Sequence, residues 1–198
     1  MLKLNYNPIA KRWHERVDSL PKDKIELINA PIGKENLIVL KKSNKKIQDG
    51  DVFVVSFKEG IYFWGKVIEA YINHPTDNWM NGCCVIFIFK CKSKTKDIKE
   101  FKPDYNNLLT EPNIVTPDYW KKGLIETVGN IPLTEEEKTL DYGFFDGDFI
   151  GEGGTFKKAN GELLDHMPKI SAIYGIKTYV GLYMDIKTEV IIDSSLLE

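Results

Sequence analysis

Apolar and polar positions follow their most regular pattern in the middle of the chain. Residues 51–57 and 61–70 are rich in β-branched and aromatic side chains and are separated by Lys58, Glu59 and Gly60. This predicts a β-hairpin joined by a three-residue loop with glycine at its end. Val52, Val54 and Ser56 alternate with Phe53, Val55 and Phe57, so both faces of the first strand are largely apolar. Such a strand belongs inside a sheet and not at its edge. Gly65, within the second run, predicts a bulge or a close backbone approach beside Trp64. Residues 83–91 supply a third strand, apolar on both sides as far as Lys90. Three successive strands joined by turns of varied length predict a mostly β, α+β fold: a strongly bent antiparallel sheet or small partly open barrel, with a few short helices.

Elsewhere the pattern is less regular. Asn7 before Pro8 reads as an N-cap with proline at the first helical position, and Ile9, Trp13, Val17 and Leu20 recur at near-helical spacing. One amphipathic helix therefore opens the chain and ends before Pro21. The short apolar runs 25–28 and 37–40 read as edge strands or an arm, followed by a basic stretch at 41–46. Residues 1–45 are accordingly expected to form a helix and arm packed on a β-rich domain of residues 46–198. Thr116-Pro117-Asp118 starts a short helix, and Thr134 with Glu137 has the spacing of a capping box. Residues 177–183 and 188–193 are β-rich and are expected to pair with each other.

Composition narrows the function classes. The 198 residues are 42% hydrophobic, 12% aromatic and 28% charged, which is ample for a core. With 27 basic and 29 acidic residues the net charge is -2, and Arg12 and Arg16 are the only arginines. General nucleic-acid binding is disfavoured, because it needs a clustered positive surface and base readout leans on the arginine fork. The longest apolar run, residues 83–89, is too short to span a bilayer, and the first 20 residues have no apolar signal core. A cytoplasmic protein is expected, with Cys83, Cys84 and Cys91 reduced.

Catalytic and metal motifs are incomplete. His14-Glu15 begins the zinc-protease helix pattern, but Asp18 stands where the second histidine belongs. The cysteines lack metal or redox spacing, no serine sits in a nucleophile elbow, and no cofactor is expected. The most unusual segment is 141–154, which mixes acids, aromatics and glycines without calcium-loop or phosphate-loop spacing. Between Thr134 and Glu152 seven acids face the single Lys138. One reading is a glycine-rich turn with solvated aspartates. The other is a partner-binding surface of Asp141, Tyr142, Phe145, Asp146, Asp148 and Glu152, joined by Trp79 from the polar loop 73–82; it would suit a basic protein.

Several blocks carry a family resemblance. Lys46-Ile-Gln-Asp-Gly-Asp51-Val-Phe-Val-Val, Tyr62-Phe-Trp-Gly-Lys-Val-Ile68 and Cys84-Val-Ile-Phe-Ile-Phe89 resemble the opening of the immunity protein 26 family of bacterial polymorphic-toxin systems. Tyr119-Trp120-Lys-Lys-Gly123-Leu-Ile-Glu-Thr-Val-Gly129-Asn-Ile-Pro-Leu133 followed by Asp141-Tyr-Gly-Phe-Phe145 is similar to its later block. The resemblance spans about residues 46–145. It implies a non-enzymatic cytoplasmic protein that binds and neutralises a cognate protein toxin, and it brings no binding residues with it. A basic nuclease domain is the toxin that the acidic segment would suit. Two other classes stay open. One is a small-barrel module for a peptide or single-stranded nucleic acid, using Tyr62, Trp64 and Trp79 as an aromatic platform. The other is a hydrolase using Asp146, Asp148, Glu152 or His166.

Overall fold

The computed structural model describes residues 2–31, 33, 36–147 and 153–198. In chain order its elements are β1 (Lys3–Leu4), α1 (Pro8–Val17), α2 (Lys22–Asn29), β2 (Asp51–Lys58), β3 (Ile61–Glu69), β4 (Cys84–Ser93), β5 (Asn113–Val115), α3 (Asp118–Lys121), β6 (Glu126–Asn130), α4 (Glu135–Lys138), β7 (Tyr142–Gly147), β8 (Gly154–Lys157), β9 (Ile170–Ile173) and α5 (Tyr179–Ile192). Single 3-10 turns occupy Ile98–Glu100 and Ser194–Leu197.

The strands form two sheets. The larger is antiparallel in the order β5-β4-β3-β2-β6, and the smaller has the order β1-β8-β7-β9 with β7 and β9 parallel. Among the described residues neither closes on itself, so the fold is sheet-rich α+β built on open sheets, in keeping with the expected class. The predicted hairpin is present as β2 and β3, with Lys58 opposite Ile61 and a tighter turn of Glu59 and Gly60.

Period-two alternation on β2, β3 and β4 builds two cores. Phe53, Val55, Phe63, Val67, Cys84, Ile86 and Ile88 face α3 and α5, meeting Tyr119, Trp120, Leu182 and Ile186. Val52, Val54, Trp64, Ile68, Val85, Phe87 and Phe89 face the small sheet and meet Phe144 and Ala172. Adjacent Cys83 and Cys84 thus serve opposite cores, as free thiols whose pKa values burial pushes up. Gly65 is the close approach that its position suggested: a Cβ there would lie 2.2 Å from the Phe53 ring and 2.7 Å from the Phe87 carbonyl. The β3–β4 register shifts beside it.

Three elements differ from the sequence reading. Residues 177–183 and 188–193 are not paired strands; most of both runs belongs to the single helix α5, capped by the Thr178 hydroxyl accepting from the Gly181 amide. Leu182, Ile186 and Val190 fall at helical spacing and are buried on the large sheet. Burying each is worth about 1.5–3 kcal/mol, against a helix-propensity cost of a few tenths per β-branched residue, so packing decides. Residues 25–28 likewise lie in α2, which packs on α5; Lys24 Nζ donates to the Ile192 carbonyl at 2.7 Å. Residues 37–40 are extended but join no ladder, held by Ile38 N donating to Ser56 O and Leu40 N to Gly123 O.

The opening helix α1 forms where Asn7-Pro8 placed it, with Asn7 Oδ1 accepting from the amides of Ile9 and Ala10. Its charged face is fastened to the rest of the chain. Arg12 reaches Glu111 at 2.9 Å and the Ser171 carbonyl at 2.8 Å, while Arg16 reaches Glu189 of α5 at 2.5 Å. Upstream of α1, β1 adds an edge strand to β8.

Candidate functional site

The acidic segment folds into a surface whose charges are mostly paired. The capping box at Thr134 forms, but Glu137 does more than cap α4. Its carboxylate turns inward, accepting from Lys66 Nζ at 2.6 Å, Tyr105 Oη at 2.7 Å and the Thr134 amide at 2.9 Å. Burial alone would raise the Glu137 pKa, but these donors outweigh it and the group stays below the ordinary carboxylate value. Glu135 pairs with Lys138, Asp141 with His166, and Asp146 with Lys157. Of the described acids in the segment, only Glu136 has no cationic partner. Asp148 and Glu152 lie outside the described residues.

The aromatic members of the segment are structural. Phe145 is 1% exposed against Phe156, with ring centroids 5.4 Å apart. Tyr142 is half-buried, edge-on to Phe87, with its hydroxyl 3.3 Å from Glu69. Trp79 is the contrast, at 84% exposure. Its loop is nonetheless ordered: Asp77 accepts from the Trp79 amide at 2.9 Å, and His74 Nδ1 from the Asp77 amide at 2.8 Å. The same imidazole packs so closely on Gly161 that a Cβ there would lie 2.2 Å from its Nε2.

These positions also bear on the two other sequence readings, although Asp148 and Glu152 of the hydrolase reading lie outside the described residues. Trp64 is fully buried and Lys96 lies over the Tyr62 ring at 5.1 Å, so Tyr62, Trp64 and Trp79 do not form a platform. His166 sits between Asp165 at 3.0 Å and Asp141 at 2.9 Å on the open surface, and not beside Asp146. Asp165 first and Asp141 second raise its pKa above the ordinary 6.5. The His14 and Asp18 side chains are exposed and 3.8 Å apart. Among the described residues no three His, Cys, Asp or Glu side chains are grouped to hold a metal.

Among the described residues are two clefts of about 570 Å³ each. One is lined by Trp13, Arg16, Lys90, Glu111, Asp185 and Glu189. Its carboxylates are engaged: Glu189 with Arg16 and Lys90, Glu111 with Arg12, Asp185 with Lys177 at 2.7 Å. Burial pushes the pKa values of Glu111 and Asp185 up against the pull of these cations. This arrangement clasps α1 to α5. The other cleft is lined by residues 41–48 and by Asp51, Trp120 and residues 126–129. Sequence reasoning noticed the basic stretch 41–46 but not that it lies beside β6, because strand order is not visible in a local pattern.

With this geometry in place, comparison with known proteins assigns the family. The family model of immunity protein 26 matches residues 48–149, just over half of the chain. The chain belongs to the immunity protein 26 family, a family of immunity proteins of toxin systems. The matched region holds the whole large sheet with α3, α4 and β7, whereas α1, α2, α5 and the rest of the small sheet lie outside it. No curated protein and no solved structure matches the chain. No helix among the described residues is long and apolar enough to cross a membrane.

Proposed function

We propose that this protein neutralises a cognate toxin in the cytoplasm by binding it, without catalysis. The observation that carries the reading is the family match, which covers the whole large sheet with α3, α4 and β7. The surface supports it. Trp79 is a large apolar side chain held out by an ordered loop, the form that a binding hot spot takes. Arg12, Arg16 and His166 are each engaged in a pair that ties separate elements together. An interface of standard size, roughly 1,600 Å², supplies nanomolar affinity through a few such anchors.

Trp79, Asp141 and Asp146 belong to the proposed contact surface; Asp148 and Glu152 join it on sequence grounds alone. Because Asp141 and Asp146 are already paired, their contribution is expected to lie in association rate and orientation more than in affinity. The test is co-expression with the C-terminal toxin domain encoded by the adjacent gene. Rescued growth and a co-eluting complex are the expected result; a toxin that kills regardless and elutes alone would refute the reading.

A further inference from the structure

We propose that the cleft beside β6 receives an extended, acidic segment of the toxin, which adds to β6 as a further strand. This rests on the toxin-binding reading and specifies its chemistry. Among the described strands β6 pairs only with β2 and ends the large sheet, so its outward main-chain donors and acceptors are open. Such an edge is a template for one more strand. Residues 126–129 of β6 line the cleft, about 13 Å of strand at 3.3 Å per residue.

Charge selects the occupant. Lys41, Lys42 and Lys45 have no carboxylate partner among the described residues, and Lys46 lies over the Tyr71 ring at 5.4 Å. The two acids of the lining are already engaged. Asp51 accepts from the Gln48 amide at 3.0 Å and Asn130 Nδ2 at 2.8 Å, and Glu126 from Lys96 at 2.6 Å. Glu126 is neutralised by Lys96, and Asp51, held by neutral donors, is outnumbered by the four lysines, so the net charge in the cleft is positive, and a segment with acidic side chains at alternate positions meets it while its backbone pairs with β6. The lysines also repel a second copy of the same edge, which keeps it from pairing with itself.

The site is built from packed parts. The Trp120 indole N–H donates to Thr127 Oγ1 at 2.9 Å, fixing β6 against α3, and the Leu40 amide and the Ser43 amide tie the arm to the same helix and its following turn. Tyr71, under Lys46, has a positive φ of 60° and opens the loop that carries Trp79. The lysine arm and the exposed tryptophan are thereby linked along the chain surface. A strand edge favours a protein segment over nucleic acid, since its main-chain pairing has no counterpart in a phosphate backbone.

The experiment uses the full-length protein and the toxin domain encoded by the adjacent gene. Lys41→Glu, Lys42→Glu, Lys45→Glu and Lys46→Glu are combined in one variant, all at exposed positions, with folding checked by circular dichroism. Affinity is measured at low and high salt, and amide exchange of β6 is followed in the wild-type complex. The expected result is a loss of about tenfold or more in affinity, a flattened salt slope, and slowed exchange confined to residues 126–130 within the large sheet. Wild-type binding with unchanged affinity in the variant and no slowing at β6 would overturn this inference while leaving toxin binding intact. Displacement of the toxin by single-stranded RNA at the same lysines would overturn it in favour of nucleic acid. If the wild-type protein does not bind the toxin, the underlying reading fails and this one with it.

Discussion

Lys66 and Glu137 form an ion pair inside the protein, Nζ to Oε2 2.6 Å, with side chains 2% and 6% exposed. Lys66 projects from the middle of β3, where its neighbours on the same face are Trp64 and Ile68, and Glu137 is the third residue of α4. The pair locks the short helix after β6 onto the sheet that β6 borders. Desolvating two charges is costly, and the Tyr105 hydroxyl and Thr134 amide complete the carboxylate's hydrogen bonds.

Removing one partner is therefore worse than removing the charge from both. Lys66→Met is expected to cost about 3–5 kcal/mol in urea denaturation, and adding Glu137→Gln to recover part of it. The pH dependence should change sign. In the wild type the lowered Glu137 pKa gives stability that is present above the unfolded carboxylate value and lost as pH falls through the folded one. In Lys66→Met the buried, unpaired carboxylate has a raised pKa, so stability increases as pH falls from about 6 to 4. Parallel profiles for the two proteins would contradict the assignment.

Gly65→Ala is expected to destabilise by about 1–3 kcal/mol, although alanine is otherwise the more strand-compatible residue. The new methyl would meet the Phe53 ring at 2.2 Å and the Phe87 carbonyl at 2.7 Å, one a core ring and the other backbone. Gly60→Ala, at a positive φ of 77° in an open turn, serves as the control for backbone strain without a clash. A denaturation midpoint for Gly65→Ala equal to that of the wild type would show that the sheet yields there.

His166 titration reports the small sheet's surface. Its raised pKa means that its contribution to stability is present below the ordinary 6.5 and fades as pH rises through the folded value. Asp141→Asn should lower the His166 pKa measured by NMR without returning it to 6.5, because Asp165 remains beside Nδ1. An unaltered titration would mean that Asp141 does not face the imidazole.

The central sheet was readable because strands with two apolar faces leave a continuous β-rich run, and Gly65 stood out within it. Helix α5 was not, since Val180, Ile186, Thr188, Val190, Ile191 and Ile192 give it a strand's composition; only Thr178 and the spacing of Leu182, Ile186 and Val190 signalled otherwise. The pairing of the acidic segment was not legible for a related reason. A local count sees seven acids and one lysine, whereas folding brings Lys66, Lys157 and His166 to three of them from distant positions. Conversely, the lysines of the arm find no carboxylate among the described residues, so the sign of the exposed unpaired charge cannot be read from run lengths.

Trp79→Ala separates binding from stability. At 84% exposure the indole contributes little to folding, so the denaturation midpoint should move by less than about 0.5 kcal/mol equivalent. Toxin affinity should fall by about 2 kcal/mol or more, roughly thirtyfold, as for a buried aromatic anchor. An affinity within twofold of wild type, about 0.4 kcal/mol, would remove Trp79 from the contact surface.

The central claim, neutralisation by binding without turnover, is tested most directly by titrating purified protein into a fixed amount of the adjacent-gene toxin domain while following toxin activity. Binding predicts that activity falls in proportion to added protein and vanishes at a fixed molar ratio, with toxin of unchanged mass that regains activity once the complex is dissociated. Complete inactivation by a small fraction of an equivalent, with toxin that stays inactive after separation, would contradict it.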